Sequence, residues 1–272
     1  MRLATELRRL REAAGLSSRQ AAALLGVSPA QITHIESGLA GVSEKRLRRL
    51  TGHYGCADEE FVEALVALAT DRTRGWWERY RGLLPSSFLD LAELDHHASF
   101  WHEVSILHVP GLLQTEDYSR AVFANRVPEL GHEELELRVR HRMERRVVFD
   151  GPAPLRCTAV LHEVALRIRV SDRASSRAQL DRLLELSQAD HITLRVIPLD
   201  LDGFNRAGSS MTYVGGPVSR LDTVIRDAPH GSVFVDSEAQ LSAYRTRFRK
   251  MEALSLDPGR SRDLISRLAK EL

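Results

Sequence analysis

The stretch "SSRQAAALLGVSPAQITHIESG", Ser17 to Gly38, decides how the first quarter of the chain folds. Ser17 stands where a side-chain oxygen caps a helix start, and Gly26 where a left-handed residue ends one. Two residues on, Ser28 caps again, and Pro29 takes the helical position whose N–H would be unpaired anyway. Gly38 closes this second segment. Within it only Ile32 and Ile35 are large and apolar, one turn apart. So short a helix does not hold in water by itself, so the two isoleucines must pin it to neighbours. Ala30, Gln31, Thr33 and His34 are then its small or polar remainder.

Working outward, "TELRRLREAAG" places Leu7, Leu10 and Ala14 on one stripe, with Gly15 as terminator. Ala21, Ala22, Leu24 and Leu25 carry the next helix, and its alanines let another backbone come close. "SEKRLRRLTGHYG" has a Ser43 cap, Leu47 and Leu50 facing inward, and Lys45, Arg46, Arg48 and Arg49 around them. "DEEFVEALVALAT" follows with Phe61, Leu65 and Leu68 at helical spacing. Five short helices with a tight Gly-containing turn between the second and third make a helix-turn-helix arrangement. Residues 1–57 hold nine Lys/Arg against four Glu, an excess of five, whereas the chain totals +1, so the remainder carries −4. A basic head on a mildly acidic body predicts a polyanion partner, double-stranded DNA, at that end. Ala30, Thr33 and His34 are expected to enter the major groove, with Gln31 beside them. The amides near Ser17 and Ser18 are expected to meet a phosphate, and Ser28, Lys45 and Arg46 complete the DNA-facing set.

The run Leu7 to Gly38 resembles the Xre/Cro family of DNA-binding domains. The resemblance implies that Arg11, four residues before the first glycine, pairs with Glu36 of the "E-x-G" ending. Where that family carries a long polar reader, this chain has Pro29 and Ala30, which shifts the expected base contacts to Thr33, His34 and Gln31. One head reads few base pairs, so useful affinity predicts a homodimer on half-sites about one helical turn apart.

The 272 residues, 43% hydrophobic and 28% charged, suit a globular protein of one large or two ordinary domains. No apolar run approaches a membrane span, and no signal-peptide core opens the sequence, so the expectation is a cytoplasmic protein without membrane contact. Cys56 and Cys157 are too few for a disulfide scaffold or a zinc site. Cys157 reads as a buried small hydrophobe.

We expect a helix-turn-helix domain over 1–70 and an α+β domain over 71–272. In the second, Trp76, Trp77 and Tyr80 look like packing, and Leu91, Leu94 and Ala98 continue a helix. "SILHVPGLLQTEDY" reads as an extended segment, a turn at Pro110–Gly111, and a helix capped by Thr115. Helices are expected over Glu133–Val148, Asp172–Ala189, Glu238–Leu254 and Ser261–Leu272. "LRCTAVLHEVAL", with Val160 and Leu161 near the strand's end, and "HITLRVIPL", "GSSMTYVGG", "DTVIRDA" and "GSVFVDS" read as strands, and "GPVSRLD" and "DPGRSRD" as turns.

No phosphate loop, nucleophile elbow or paired-carboxylate motif stands in this body. In "ELDHHASFWHE", His97 and His102 are five residues apart and His96 and His102 six, so neither pair shares a helical face as metal ligands do. No enzyme activity, cofactor or metal is expected. The alternative is a body with its own enzymatic or metal chemistry, which the head would place on DNA. "VPGLLQTEDYSRAV", "LHEVAL", "QLDRLLELSQADHITLRVIP" and "RFRKMEALSLDPGRSRDLISRLA" are similar to the uncharacterised domain that follows an Xre-type head in the WhiJ-like regulators of actinobacteria. That resemblance implies a transcriptional regulator, antitoxin-like in being paired with a small partner protein. It supplies no catalytic residues.

Overall fold

A computed structural model of the chain describes residues 2–71, 75–202, 209–228 and 231–272. It divides into two compact units, Met1–Gly75 and Trp76–Leu272.

The first unit is helical: α1 (Arg2–Ala13), α2 (Ser18–Leu25), α3 (Pro29–Glu36), α4 (Glu44–His53) and α5 (Glu59–Thr70). Leu7, Leu10, Ala21, Ala22, Leu25, Ile32, Ile35, Leu47, Leu50, Phe61 and Leu65 are buried together with Tyr54. Ala14 does not belong to this core. It lies past the end of α1 and is exposed, and Ala4, one turn before Leu7, takes the inward place instead. Five helices bury little area singly, so the joints between them matter. Gly26 ends α2 at φ +76°, and its N–H and that of Val27 both reach the Ala22 carbonyl. A Cβ there would meet nothing within 4 Å, so the backbone conformation alone calls for glycine.

The second unit is built on one six-stranded mixed sheet in the order β3-β2-β1-β4-β5-β6. The strands are β1 (Phe100–Ser105), β2 (Arg156–His162), β3 (Ile192–Ile197), β4 (Met211–Gly215), β5 (Thr223–Ala228) and β6 (Gly231–Val235). β1, β2 and β3 run parallel, which requires crossovers. Helix α6 (Ser86–His97) precedes β1, and α7 (Glu116–Ala124) and α8 (His132–Glu144) run between β1 and β2. Between β2 and β3 run α9 (Glu163–Arg167) and α10 (Arg173–Leu186). β4, β5 and β6 are antiparallel, each to its predecessor in the sheet. Helices α11 (Glu238–Leu254) and α12 (Pro258–Glu271) complete the α+β domain.

Each face of the sheet has its own core. Trp101, Cys157, Leu161, Leu194, Val214 and Ile225 pack with Tyr118 of α7, Leu180 and Leu183 of α10, and Leu264, Ile265 and Leu268 of α12. Val104, Val160, Ile197, Met211, Tyr213 and Val224 pack with Leu241, Phe248 and Met251 of α11. The outer edge of β3 is covered: Leu256 N–H donates to the Val196 carbonyl at 2.8 Å, and Val196 N–H to Ser261 Oγ at 3.0 Å. Trp77, Tyr80, Leu84, Leu89 and Ala92 form a third cluster, and His141 packs at it with its ring 5.1 Å from both Trp76 and Tyr80. Burial holds His141 down to about 3.

Three elements differ from the expectation. The central strand is "FWHEVS", not the segment beginning at Ser105, because Trp101 and Val104 alternate into opposite cores while His102 stacks on Phe248 at 4.4 Å. The charged and imidazole side chains between them disguise the alternation. The long helix ends at Glu144, and Arg145–Phe149 continues as a tighter 3-10 turn. "DPGRSRD" is a helix start rather than a turn: Asp257 caps α12 by accepting from Arg260 N–H at 2.9 Å, with Pro258 in the first turn. Both cysteines are free, and Cys157 lies buried in β2, where burial raises its thiol well above the usual range.

Candidate nucleic-acid interface

The third helix is held from within and capped at its start. Ile32 and Ile35 are 1% and 3% exposed, so almost their whole surface anchors α3. Ser28 Oγ accepts from Gln31 N–H at 3.2 Å, and Pro29 fills the first turn. Behind the helix, Arg11 closes a fork on Glu36: Nε donates to Oε1 at 2.7 Å and Nη2 to Oε2 at 2.9 Å. Arg11 Nη1 also donates to the Leu16 carbonyl at 2.6 Å. One guanidinium therefore ties α1, the α1–α2 turn and α3 together, and the hydrogen bond to Glu36 raises its pKa further. Tyr54, buried and within reach of the Glu36 charge, is pushed up to about 12.

What α3 leaves outside is Ala30, Thr33 and His34, all exposed, with Gln31 half-buried beside them. Thr33 Oγ1 donates to the Pro29 carbonyl at 3.1 Å, which fixes its rotamer and leaves its oxygen lone pairs outward. At the start of α2, Ser17 and Gln20 form a reciprocal capping box. Ser17 N–H donates to Gln20 Oε1 at 2.8 Å, and Ser17 Oγ accepts from Gln20 N–H at 3.3 Å. The Ser17 amide is thus already occupied. The amides of Ser18 and Arg19 meet no acceptor among the described residues. Lys45 and Arg46 stand exposed in the first turn of α4, and no hydrogen bond or ion pair joins them to α3 among the described residues.

The arginines of this unit sort themselves by partner. Arg48 is held by Glu44 at 2.8 Å and Glu63 at 2.6 Å, and Arg49 reaches the Leu24 carbonyl at 3.4 Å, joining α4 to α2. Arg19, Lys45 and Arg46 have no partner among the described residues. Arg19 was not singled out by sequence reasoning. The available signal was its place in the first turn after a serine cap, on the same helix end as Ser18. The basic excess also ends with α4, because Asp58, Glu59, Glu60 and Glu63 make the start of α5 acidic.

A capped short helix, a three-residue turn opened by a left-handed glycine, and a second capped helix with a small polar outer face define a helix-turn-helix DNA-binding regulator. Residues 2–65 match the model of a helix-turn-helix domain. Residues 88–267, more than half the chain, match the family described as domain of unknown function DUF5753, and the chain belongs to that family. No curated protein and no solved structure matches the chain. No helix among the described residues is long and apolar enough to cross a membrane.

Proposed function

We propose that the protein is a cytoplasmic, sequence-specific transcriptional regulator of the Xre type, related to the WhiJ-like group, and that it binds DNA as a homodimer. The observation that carries this reading is the outer face of α3, where Ala30, Thr33 and His34 are exposed on a helix whose only large apolar residues are buried. Side chains that small let the helix approach base edges closely, and Thr33 and His34 with Gln31 supply the donors and acceptors. The unclaimed amides of Ser18 and Arg19, with Lys45 and Arg46, supply phosphate contacts that set the register, and Ser17 and Ser28 act through the caps they build. The Arg11–Glu36 pair positions α3 rather than touching DNA. The second unit supplies dimerisation and takes up a small partner protein or ligand, in an antitoxin-like arrangement. We assign the chain no enzymatic step. Genome-wide mapping of the full chain on its own chromosome tests the reading. The expected result is a set of discrete sites, each with two-fold symmetry and half-sites about one helical turn apart. Occupancy without any shared motif would overturn it.

A further inference from the structure

Arg142 of the second unit has no carboxylate in ion-pair or hydrogen-bond contact among the described residues. Arg142, in α8, donates from Nη1 to Gln114 Oε1 at 2.7 Å and lays its guanidinium 3.9 Å above the centre of the Phe123 ring. Its neighbour Arg145 has a buried carboxylate, Asp95, at 2.7 Å. Arg142 has none within bonding distance among the described residues. Burial first, and Arg145 second, pull Arg142 down to about 9, an unusual value for a guanidinium. Gly111 of "PGLLQT" lies beside both arginines: a Cβ there would make ordinary contact, 3.6 Å from Arg142 Nε and 3.8 Å from Arg145 Nη1.

Other ionisable groups gather around this arginine. Glu103 of β1 and Asp227 of β5 share one face of the sheet, and both act on Arg142 by charge while neither hydrogen-bonds to it. Glu103 is buried, accepts from Ser105 Oγ at 2.6 Å and Thr212 Oγ1 at 3.2 Å, and is pushed up to about 7 by burial. His108, exposed just past β1, feels both Arg142 and Asp227. Topology marks the same place. The chain leaves β1 toward β2 on one side and returns from β3 to β4 on the other, so the strand order reverses at the carboxyl end of β1. Open sheets with helices on both faces take ligands in the crevice at such a reversal. Ile106 N–H donates to Ser210 Oγ at 3.1 Å there, joining the segment after β1 to the one before β4.

We propose that Arg142, with Glu103, His108 and Asp227 around it, forms a binding site for a small carboxylate at the carboxyl end of β1. A guanidinium fork matches two carboxylate oxygens, and Gln114 and Phe123 already fix its plane. Gln114 couples the site to the fold: its Nε2 donates to the Val109 carbonyl at 2.7 Å and its Oε1 accepts from Ser119 Oγ at 3.0 Å. An anion on Arg142 therefore pulls on the amide that clamps the turn between β1 and α7. An anion arriving near Glu103 also makes that carboxyl hold its proton more firmly, so binding takes up a proton near neutral pH. The site belongs to the second unit alone and does not depend on whether the first unit binds DNA.

Calorimetric titration of the full chain with acetate, succinate and citrate, each in two buffers of different ionisation enthalpy, tests the site; inorganic phosphate is the comparison anion. The expected result is saturable binding of at least one carboxylate, more tightly than phosphate, with proton uptake at pH 7. Arg142→Lys, which keeps the charge and loses the fork, should weaken that binding about tenfold or more. Glu103→Gln should bind while the proton uptake disappears. No saturable carboxylate binding by the unmodified chain would overturn the proposal, and so would a preference for phosphate. Unchanged affinity in Arg142→Lys, or binding of the unmodified chain without proton uptake, would overturn it equally. The proton measurement needs no variant, so it stands even if a substituted chain fails to fold.

Discussion

Arg11 is buried in the first unit and Arg142 half-buried in the second, and they end up in opposite situations. Arg11 is 8% exposed, closes a two-point fork on Glu36 and gives a third hydrogen bond to Leu16. Arg142 has one amide oxygen and one aromatic face. A desolvated guanidinium with a matched carboxylate is architecture, because removing the partner leaves a buried charge and damages the fold. A desolvated guanidinium without one is held by the rest of the structure against its own preference, and such groups gather where ligands bind. The first unit confines its polar tension to internal joints and leaves an unstrained, exposed set on α3. The second keeps a guanidinium without a matched carboxylate near the carboxyl end of its central strand.

The largest expected effect breaks the satisfied side of this contrast. Glu36→Ala leaves the buried Arg11 only the Leu16 carbonyl and the more distant Glu12 carboxylate at 3.6 Å, and should destabilise the first unit by about 3 kcal/mol. Hydrogen exchange of the α1 and α3 amides in the full chain reads this, and unchanged protection would remove the pair from its structural role.

The unsatisfied side is sharpened by pH. Glu103 has a folded pKa of about 7, raised by burial above the unfolded value, so its stabilising contribution is full below the unfolded pKa and is lost as pH rises through 7. Glu103→Gln should therefore gain stability relative to the unmodified chain between pH 5 and pH 8, by about 2 kcal/mol. Denaturant unfolding of the second unit at the two pH values checks it, and a pH-independent difference would refute it. His102 and His141 work in the opposite sense. Their folded pKa values, about 4 and about 3, lie below the unfolded value, so the second unit loses stability as pH falls below about 6.5.

Smaller effects return to the first unit. Ser28→Ala removes the α3 cap and should cost about 1 kcal/mol, seen as faster exchange at the start of α3 with α1 unaffected. Arg46→Gln should leave stability alone and lower the slope of log affinity against log salt by about one unit. An unaltered slope would place Arg46 away from the phosphates.

The two units also differ in how much their sequences disclose. Helix α3 and the turn before it are written locally: Ser17, Gly26, Ser28 and Pro29 each act within three or four residues, so their chemistry is readable in order. The same locality made Asp257 and Pro258 a readable start for α12, which the glycine at 259 obscured. In the second unit the decisive partners are far apart in the chain. Asp95 meets Arg145 and Gln179 clamps Thr115 and Leu113, separations of 50 residues and more. "PGLLQT" stands out as a motif, yet only the fold shows that its glutamine is buried and bonded to Val109, Ser119 and Arg142. Strand β1 escaped for a related reason. A central strand is buried on both faces, so its His102 and Glu103 are explained by Phe248, Thr212 and Ser105, of which only Ser105 lies nearby in the chain.

The measurement that reaches the central claim most directly compares Thr33→Ala and His34→Ala with the unmodified chain on a mapped site and on unrelated DNA at one salt concentration. Each substitution should weaken binding to the mapped site by about 1–3 kcal/mol and leave binding to unrelated DNA nearly unchanged. Equal losses on both DNAs, or none on either, would contradict the assignment of α3's outer face as the reader of sequence.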